Sequence, residues 1–375
     1  MHGANWPAVR ERYRPLLEHV GHRADLNYVL AEMIGELVVG HAYVGGGDTP
    51  DTDSVPVGLL GCDFEIEDGR YRIAKIYTGH NWNPELRAPL TEPGVDVKEG
   101  DWLLAVNGRP LDASVNVYSL FEETSGKMTD LLVNANPTEE GARTETVVPI
   151  SSETGLRNRD WVEGNREKVE KLSNGRLAYV YMPNTSGAGY TYFNRYYYTG
   201  IGKEGAVIDE RDNGGGSAAD YIVDMLDRPL LNWWATREGK MFTTPTAAIF
   251  GPKVMVINEY AGSGGDAMPY YFRKRGIGKL VGTTTWGGLV GIYDYPPLID
   301  GGFITAPRVA IVSTDGEWVV ENVGVPPDVE VVMYPKEVIA GQDPQLEKAV
   351  EILMAELGPE PAKPLERPAP PNRVE

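Results

Sequence analysis

Apolar positions set the element order. Trp6-Pro7 opens a stretch in which Val9, Tyr13, Leu16 and Leu17 fall at helical spacing. A second stripe begins near Asp25 and carries Leu26, Val29, Leu30, Met33, Ile34 and Leu37. Residues 6–40 are therefore predicted to be helical. From about Pro56 to Ile150 the pattern changes to short strands and turns. Leu59-Leu-Gly-Cys-Asp-Phe64 is an apolar strand that opens with a glycine turn. Pro93 to Gly108 reads as a turn, a strand and an Asn107-Gly108 hairpin turn. Residues 151–335 alternate short apolar runs with helical or loop stretches, as an α/β core does. The runs are Leu177–Met182, Ala206–Asp209, Lys253–Ile257 and Lys279–Val281, with Gly302–Thr305 and Val309–Val312 expected to form a hairpin pair. Asp343 to Leu357 has an Asp N-cap, a proline in its first turn and an apolar stripe, which predicts a C-terminal helix. The proline-rich tail from Gly358 is expected to be extended and disordered. There is no internal repeat.

Length and composition narrow the class. A chain of 375 residues is expected to build two or three domains. With 42% hydrophobic and 24% charged residues it has the make-up of a soluble globular protein. A formal charge of −19 argues against nucleic acid, which needs a basic field, and against anionic membrane surfaces. The lone cysteine, Cys62, excludes an internal disulfide framework and fits a reducing compartment. Met1 to Trp6 lacks the basic and apolar regions of a signal peptide, and no apolar run approaches the roughly 20 residues of a membrane span. A cytoplasmic location is the expectation. The acidic run Asp48–Asp53 lacks the spaced glycine and final glutamate of an EF-hand loop, so it reads as a solvated linker, and no metal or other cofactor is expected.

Candidate chemistry centres on Asn258-Glu-Tyr-Ala-Gly-Ser263-Gly-Gly-Asp266, between the buried run Lys253–Ile257 and a helical stretch. A serine there presents its hydroxyl at the sheet edge, with backbone N–H groups of the next turn facing whatever it attacks. The plainer alternative is a helix N-cap. Acyl transfer also needs a base, a group that orients the base, and oxyanion donors. Among the five histidines, His41 alone follows an apolar helical stripe and precedes a triple glycine, although a helix-end cap would use the same position. Gly214–Gly216 follows a buried run and offers a row of N–H groups. No Walker lysine follows it, so phosphate binding has little support. Glu321 follows an apolar run, where a lone glutamate is more often a surface residue.

The order of these pieces carries a resemblance. Glu210-Arg-Asp-Asn-Gly-Gly-Gly216, then the Ser263 turn, then Gly282-Thr-Thr-Thr-Trp-Gly-Gly288, then Glu321-Asn-Val-Gly-Val-Pro-Pro-Asp328 resembles the C-terminal processing and tail-specific serine peptidases of family S41. Within that family it looks like the tricorn branch, where a helical subdomain bearing a Gly-His-Ala-Tyr or Ser-His-Ala-Tyr motif precedes a PDZ domain and an α/β core. The similarity runs over roughly residues 6–335. It implies a helical subdomain at 1–48, a PDZ-like β domain at 55–150, a crotonase/ClpP-like α/β peptidase core at 151–357 and a tail at 358–375.

That resemblance also implies roles. Ser263 would be the nucleophile, His41 the general base and Glu321 part of the charge relay. Gly264, with Gly215 or Gly216, would line the oxyanion hole. Leu60, Gly61 and Phe64 would meet a peptide added to the PDZ sheet edge. It implies peptide substrates and a homo-oligomer, specifically a hexamer. The processing peptidases instead use a Ser/Lys dyad, and the turn at Gly287-Gly288 has no lysine, which leaves the histidine mechanism. His41 must then fold back onto the core. Two departures stand out: Gly40 replaces the serine through which the glutamate acts in the archaeal type, and no β-propellers precede the helical subdomain in this sequence. A catalytically inactive, PDZ-containing peptide-binding scaffold is the reading from another class, and Gly40 is its main support. A processing peptidase and a nucleotide-dependent enzyme at Gly214–Gly216 are the further alternatives.

Overall fold

The computed structural model describes residues 2–293, 295–361 and 365–374. The chain divides into two compact units, Met1–Pro50 with Asn165–Glu375, and Asp51–Gly164.

The larger unit is built on a five-stranded parallel sheet. Its strand order is Val329–Glu330, Gly278–Gly282, Lys253–Ile257, Gly205–Asp209 and Leu177–Tyr181. All five residues are buried in each of the strands Lys253–Ile257, Gly205–Asp209 and Leu177–Tyr181. That is why they read as continuous apolar runs: helices cover both faces of a parallel sheet and leave no solvent side to alternate with. Helix Gly187–Thr199 packs on strand Leu177–Tyr181, and Pro344–Leu357 packs on Lys253–Ile257. In the latter helix Asp343 caps the N–H of Leu346 at 3.0 Å. Asp343 also completes a buried ion-pair group, with Arg211 Nη2 2.9 Å from Asp343 and 2.6 Å from Asp209.

The N-terminal helices Trp6–Tyr13 and Arg23–Gly35 belong to this same unit. Several contacts tie them there. Strand Val44–Gly45 pairs antiparallel with Phe303–Ile304, Arg23 Nε meets Asp300 Oδ2 at 2.5 Å, and Tyr43 N–H donates to Thr305 Oγ1 at 2.7 Å. The pairing corrects the expected hairpin, because Pro307–Ala310 pairs instead with Val290–Ile292. Both segments are strands, but alternation specifies a strand and not its partner, and each finds one elsewhere.

The smaller unit is an antiparallel sheet in the order Cys62–Glu67, Arg70–Ile76, Trp102–Val106, Thr129–Asn134, Arg143–Val147. Asn107 and Gly108 both take positive φ (48° and 74°), as a tight two-residue hairpin turn requires. Ile73, Leu103, Val106, Leu131 and Val133 form its core. Cys62–Glu67 is an edge strand. Beyond Gly358 the described residues have no helix or strand, and residues 362–364 and Glu375 of the expected disordered tail lie outside the described residues.

Asp343→Ala removes a helix cap and one of the two carboxylates on a buried guanidinium. It is expected to lower stability by about 3 kcal/mol in urea titration, whereas Asp343→Asn, which keeps the cap acceptor, is expected to lose less.

Candidate active site

Three loops leave the carboxyl ends of adjacent parallel strands, where open α/β sheets collect their chemistry. They carry Gly214–Gly216, Ser263 and the turn Thr284–Gly288. Ser263 sits between strand Lys253–Ile257 and helix Gly264–Lys274 with φ 56° and ψ −114°, outside the ordinary regions for a residue with a Cβ. Its side chain makes no cap hydrogen bond. The turn is held the other way, by the Asp266 carboxylate, which accepts the Ser263 N–H at 2.8 Å.

The glycine row closes around this serine. A Cβ on Gly216 would lie 2.3 Å from the Thr185 carbonyl oxygen, and one on Gly264 would lie 2.7 Å from the Gly216 nitrogen. No side chain fits either position. The two candidate donors before Ser263 differ in commitment. Gly215 N–H donates to Asn213 Oδ1 at 2.9 Å, and Asn213 in turn donates to the buried Glu210 at 3.0 Å. The N–H groups of Gly216 and Gly264 donate to no protein acceptor among the described residues.

His41 approaches from the N-terminal segment. Its φ is 49°, its carbonyl accepts from Thr305 Oγ1 at 2.5 Å, and its Nδ1 lies 3.4 Å from the Tyr43 hydroxyl. The imidazole lies against Trp286, with 5.6 Å between ring centres. Glu321 does not hydrogen-bond the imidazole. Its Oε1 accepts the Gly40 N–H at 2.7 Å, while Oε2 is buried with no hydrogen-bond partner. A Cβ at position 40 would stand 2.7 Å from Gly288 Cα, so this backbone path requires glycine there. Burial lowers the His41 pKa below its ordinary value, opposed first by the negative charge of Glu321 and then by that of Asp266.

Asp266 joins these parts. Besides Ser263 N–H it accepts from Thr285 Oγ1 at 2.5 Å and from Gly287 N–H at 2.7 Å. Between them Trp286 N–H donates to Ala261 O at 2.9 Å, on the approach to Ser263. Asn322 N–H donates to Gly287 O at 2.7 Å, which ties in the turn bearing Glu321. Burial raises the Asp266 pKa, and the donated hydrogen bonds oppose the rise.

Sequence reasoning passed over Asp266, Tyr43, Trp286 and Thr305. The first three stand inside the quoted motifs, and Asp266, three residues after Ser263, holds the acid position of a capping box. Thr305 had no sequence signal. Of the PDZ residues, Leu60 is buried, Phe64 packs edge-on against Tyr71 and Tyr118, and Gly61 N–H is already taken by Glu153 at 3.0 Å.

A cleft of about 980 Å³ is lined by Trp6, Ile34 and Leu37 on one side and Val290, Val309 and Trp318 on the other. It reaches the site through Ala42 and Glu321, and Ser263 is not among its walls. Among the described residues no His, Cys, Asp and Glu group could hold a metal ion.

Comparison with known proteins shows the family. Residues 1–35 match the tricorn protease C1 domain, 58–152 the tricorn protease PDZ domain and 176–331 peptidase family S41. The chain belongs to the tricorn branch of peptidase family S41. It is 38% identical to tricorn protease homolog 1 of Streptomyces coelicolor over 97% of its own length and 34% of that protein. It is 34% identical to the tricorn protease of Thermoplasma acidophilum over 93% of its length and 32% of that protein. A crystal structure of the tricorn protease superposes with a TM-score of 0.87 at 34% identity, covering 94% of this chain and 34% of that one. The chain therefore spans about a third of the length of the curated relatives it matches.

Asp266→Ala would strand two N–H groups and a hydroxyl at once. The expected loss is about 3 kcal/mol of stability in chemical denaturation, and Thr285→Val, which removes one of those donors, is expected to lose less.

Proposed function

We propose that this chain is a serine peptidase that hydrolyses short, unfolded peptides through an acyl-enzyme. The observation that carries the reading is Ser263 on a strained strand-to-helix turn, beside the uncommitted N–H groups of Gly216 and Gly264. His41 takes the proton of Ser263 Oγ as that oxygen attacks the peptide carbonyl carbon. Gly216 and Gly264 donate to the oxyanion, and the commitment of Gly215 to Asn213 favours Gly216 over it. Collapse of the tetrahedral species breaks the C–N bond, and His41 returns the proton to the leaving amine. Water then repeats the sequence on the acyl-enzyme. Among the described residues Ser263 and His41 share no hydrogen bond, and such bonds commonly tighten only in the Michaelis complex.

The Tyr43 hydroxyl beside Nδ1 leaves Nε2 as the nitrogen that accepts the serine proton. Glu321 acts on the imidazole through its charge and through the Gly40 backbone, without touching the ring. Gly40, the feature favouring an inactive scaffold, thus still engages the carboxylate. The Gly287-Gly288 turn carries no lysine for a Ser/Lys dyad. Peptides are the proposed substrates, and the tricorn resemblance supports a homo-oligomer, specifically a hexamer. Among the described residues no helix is long and apolar enough to cross a membrane. A cytoplasmic location without nucleic-acid or membrane partners is part of the same reading.

Peptide hydrolysis by variants tests it. Ser263→Ala and His41→Ala are expected to lose at least about 10⁴-fold in kcat, with a smaller loss for Glu321→Gln. A fluorophosphonate should label Ser263 and not Ser217. Equal activity in wild type and Ser263→Ala would overturn the mechanism.

The pH profile has a defined sign. Because burial holds His41 below its ordinary value of 6.5, the base stays neutral further into acid, and the acid limb of kcat/KM should lie below pH 6.5. Glu321→Gln removes a charge that raises the His41 pKa, so the limb should move lower still. A move upward would contradict the assigned coupling.

A further inference from the structure

The Asp51–Gly164 unit has an edge strand, Cys62–Glu67, preceded by the Leu59–Gly61 turn. Such a turn can hold a carboxylate with backbone N–H groups, while the edge strand takes an extended peptide. Here the turn is already filled. Gly61, at φ 71°, donates its N–H to Glu153 Oε2 at 3.0 Å. The other oxygen of that carboxylate accepts from Arg157 Nε at 2.9 Å and Nη2 at 2.6 Å. Arg157 is itself fixed to the strand's first residues. Its Nη1 lies 2.7 Å from Asp63 Oδ1 and donates to the Tyr77 hydroxyl at 2.8 Å, and its Nη2 reaches the Cys62 carbonyl at 3.4 Å.

The chain path makes this local. Leu59 and Ile150 exchange both backbone hydrogen bonds, at 2.8 and 2.9 Å, so Glu153 re-enters three residues beyond the turn's own partner. Leu156 closes from above, 2.8 Å from where a Gly61 Cβ would stand. The Glu153 side chain is 13% exposed, which is low for a carboxylate without a cofactor or catalytic task. Tyr118, which faces Phe64 across the strand, is also within the field of this carboxylate.

We propose that the Gly61 turn is a carboxylate-binding site whose resident ligand is Glu153 of the same chain, so that a peptide's C-terminal carboxylate binds there only by displacing it. Backbone donor and guanidinium are the two elements a terminal carboxylate needs, and both are spent on an internal mimic. The unit is therefore closed to free C-termini in its resting state. The inference is independent of the peptidase mechanism.

The test uses the full chain with Ser263→Ala, so that probes are not cut. Fluorescence anisotropy compares one labelled peptide ending in an apolar residue, as free acid and as C-terminal amide. With Glu153 present, acid and amide should bind alike. In Glu153→Ala the acid should gain about tenfold or more, as expected for a charge-assisted site, with the amide unchanged. Adding Arg157→Ala should remove that gain. If Glu153→Ala unfolds, Glu153→Gln, which keeps an acceptor for Gly61 while lowering the competition for Arg157, carries the same comparison with a smaller gain. An acid affinity within twofold of the Glu153 form, or an equal gain for the amide, overturns the proposal.

Discussion

The unit that holds the candidate site depends on one buried carboxylate. Asp266 receives Ser263 N–H, Thr285 Oγ1 and Gly287 N–H. Those donors belong to the Ser263 turn and to the loop that carries Trp286 against His41. A charged group without solvent is costly unless its donors are supplied, and here supplying them requires both loops to be in place together. The desolvation cost that would make Asp266 a liability elsewhere thus couples two segments far apart in sequence. The strain at Ser263 persists because its N–H is fixed by that acceptor while Gly215 packs so close that a Cβ there would stand 2.7 Å from Ser263 Cβ.

The histidine side of the site is governed by close approach. Gly40 and Gly288 pass so near that position 40 has no room for a side chain, and the freed N–H goes to Glu321. The same closeness brings His41 onto Trp286. A hydroxyl relay at position 40 is thereby replaced by a backbone contact, and the ring is steadied instead by Tyr43 and through its carbonyl by Thr305. Val320 and Asn322, which flank Glu321, both take positive φ, so the carboxylate sits on a tightly wound turn and not on a free surface loop.

What the sequence revealed follows from the physics of each signal. Lys253–Ile257 was legible to the residue because a strand buried on both faces is a short unbroken apolar run between polar turns. The helix Pro344–Leu357 was legible from its cap, its proline and its stripe. Partnering was not. The sequence suggests that Gly302–Thr305 and Val309–Val312 pair with each other, yet Phe303–Ile304 pairs with Val44–Gly45, a contact fixed by the N-terminal segment and invisible to local periodicity. The candidate Ser263, His41 and Glu321 lie in one compact unit, as motif order implied. The preference for Gly216 over Gly215 was illegible, since it turns on where the Asn213 side chain points. Asp266 was overlooked for the same reason, because capping acids are common and only its second and third donors mark it out.

The acidity of the chain acquires a role once its fixed carboxylates are compared. With 54 acidic against 35 basic side chains, cations cannot neutralise every carboxylate, and the ones at the candidate site are held by neutral donors. Asp266 is bound by two backbone N–H groups and a hydroxyl, and Glu321 by the Gly40 N–H. A neutral donor fixes a carboxylate's position without cancelling its charge, whereas an arginine would do both. The distinction matters at His41, where both carboxylates favour the imidazolium against a burial that disfavours it. In the proposed mechanism proton transfer from Ser263 creates that imidazolium, so the uncancelled charges would act on the species that forms during reaction more than on the neutral ring that precedes it. Glu153 shows the opposite choice: in the Asp51–Gly164 unit an arginine accompanies the backbone donor, and its carboxylate is held by charge as well as by N–H.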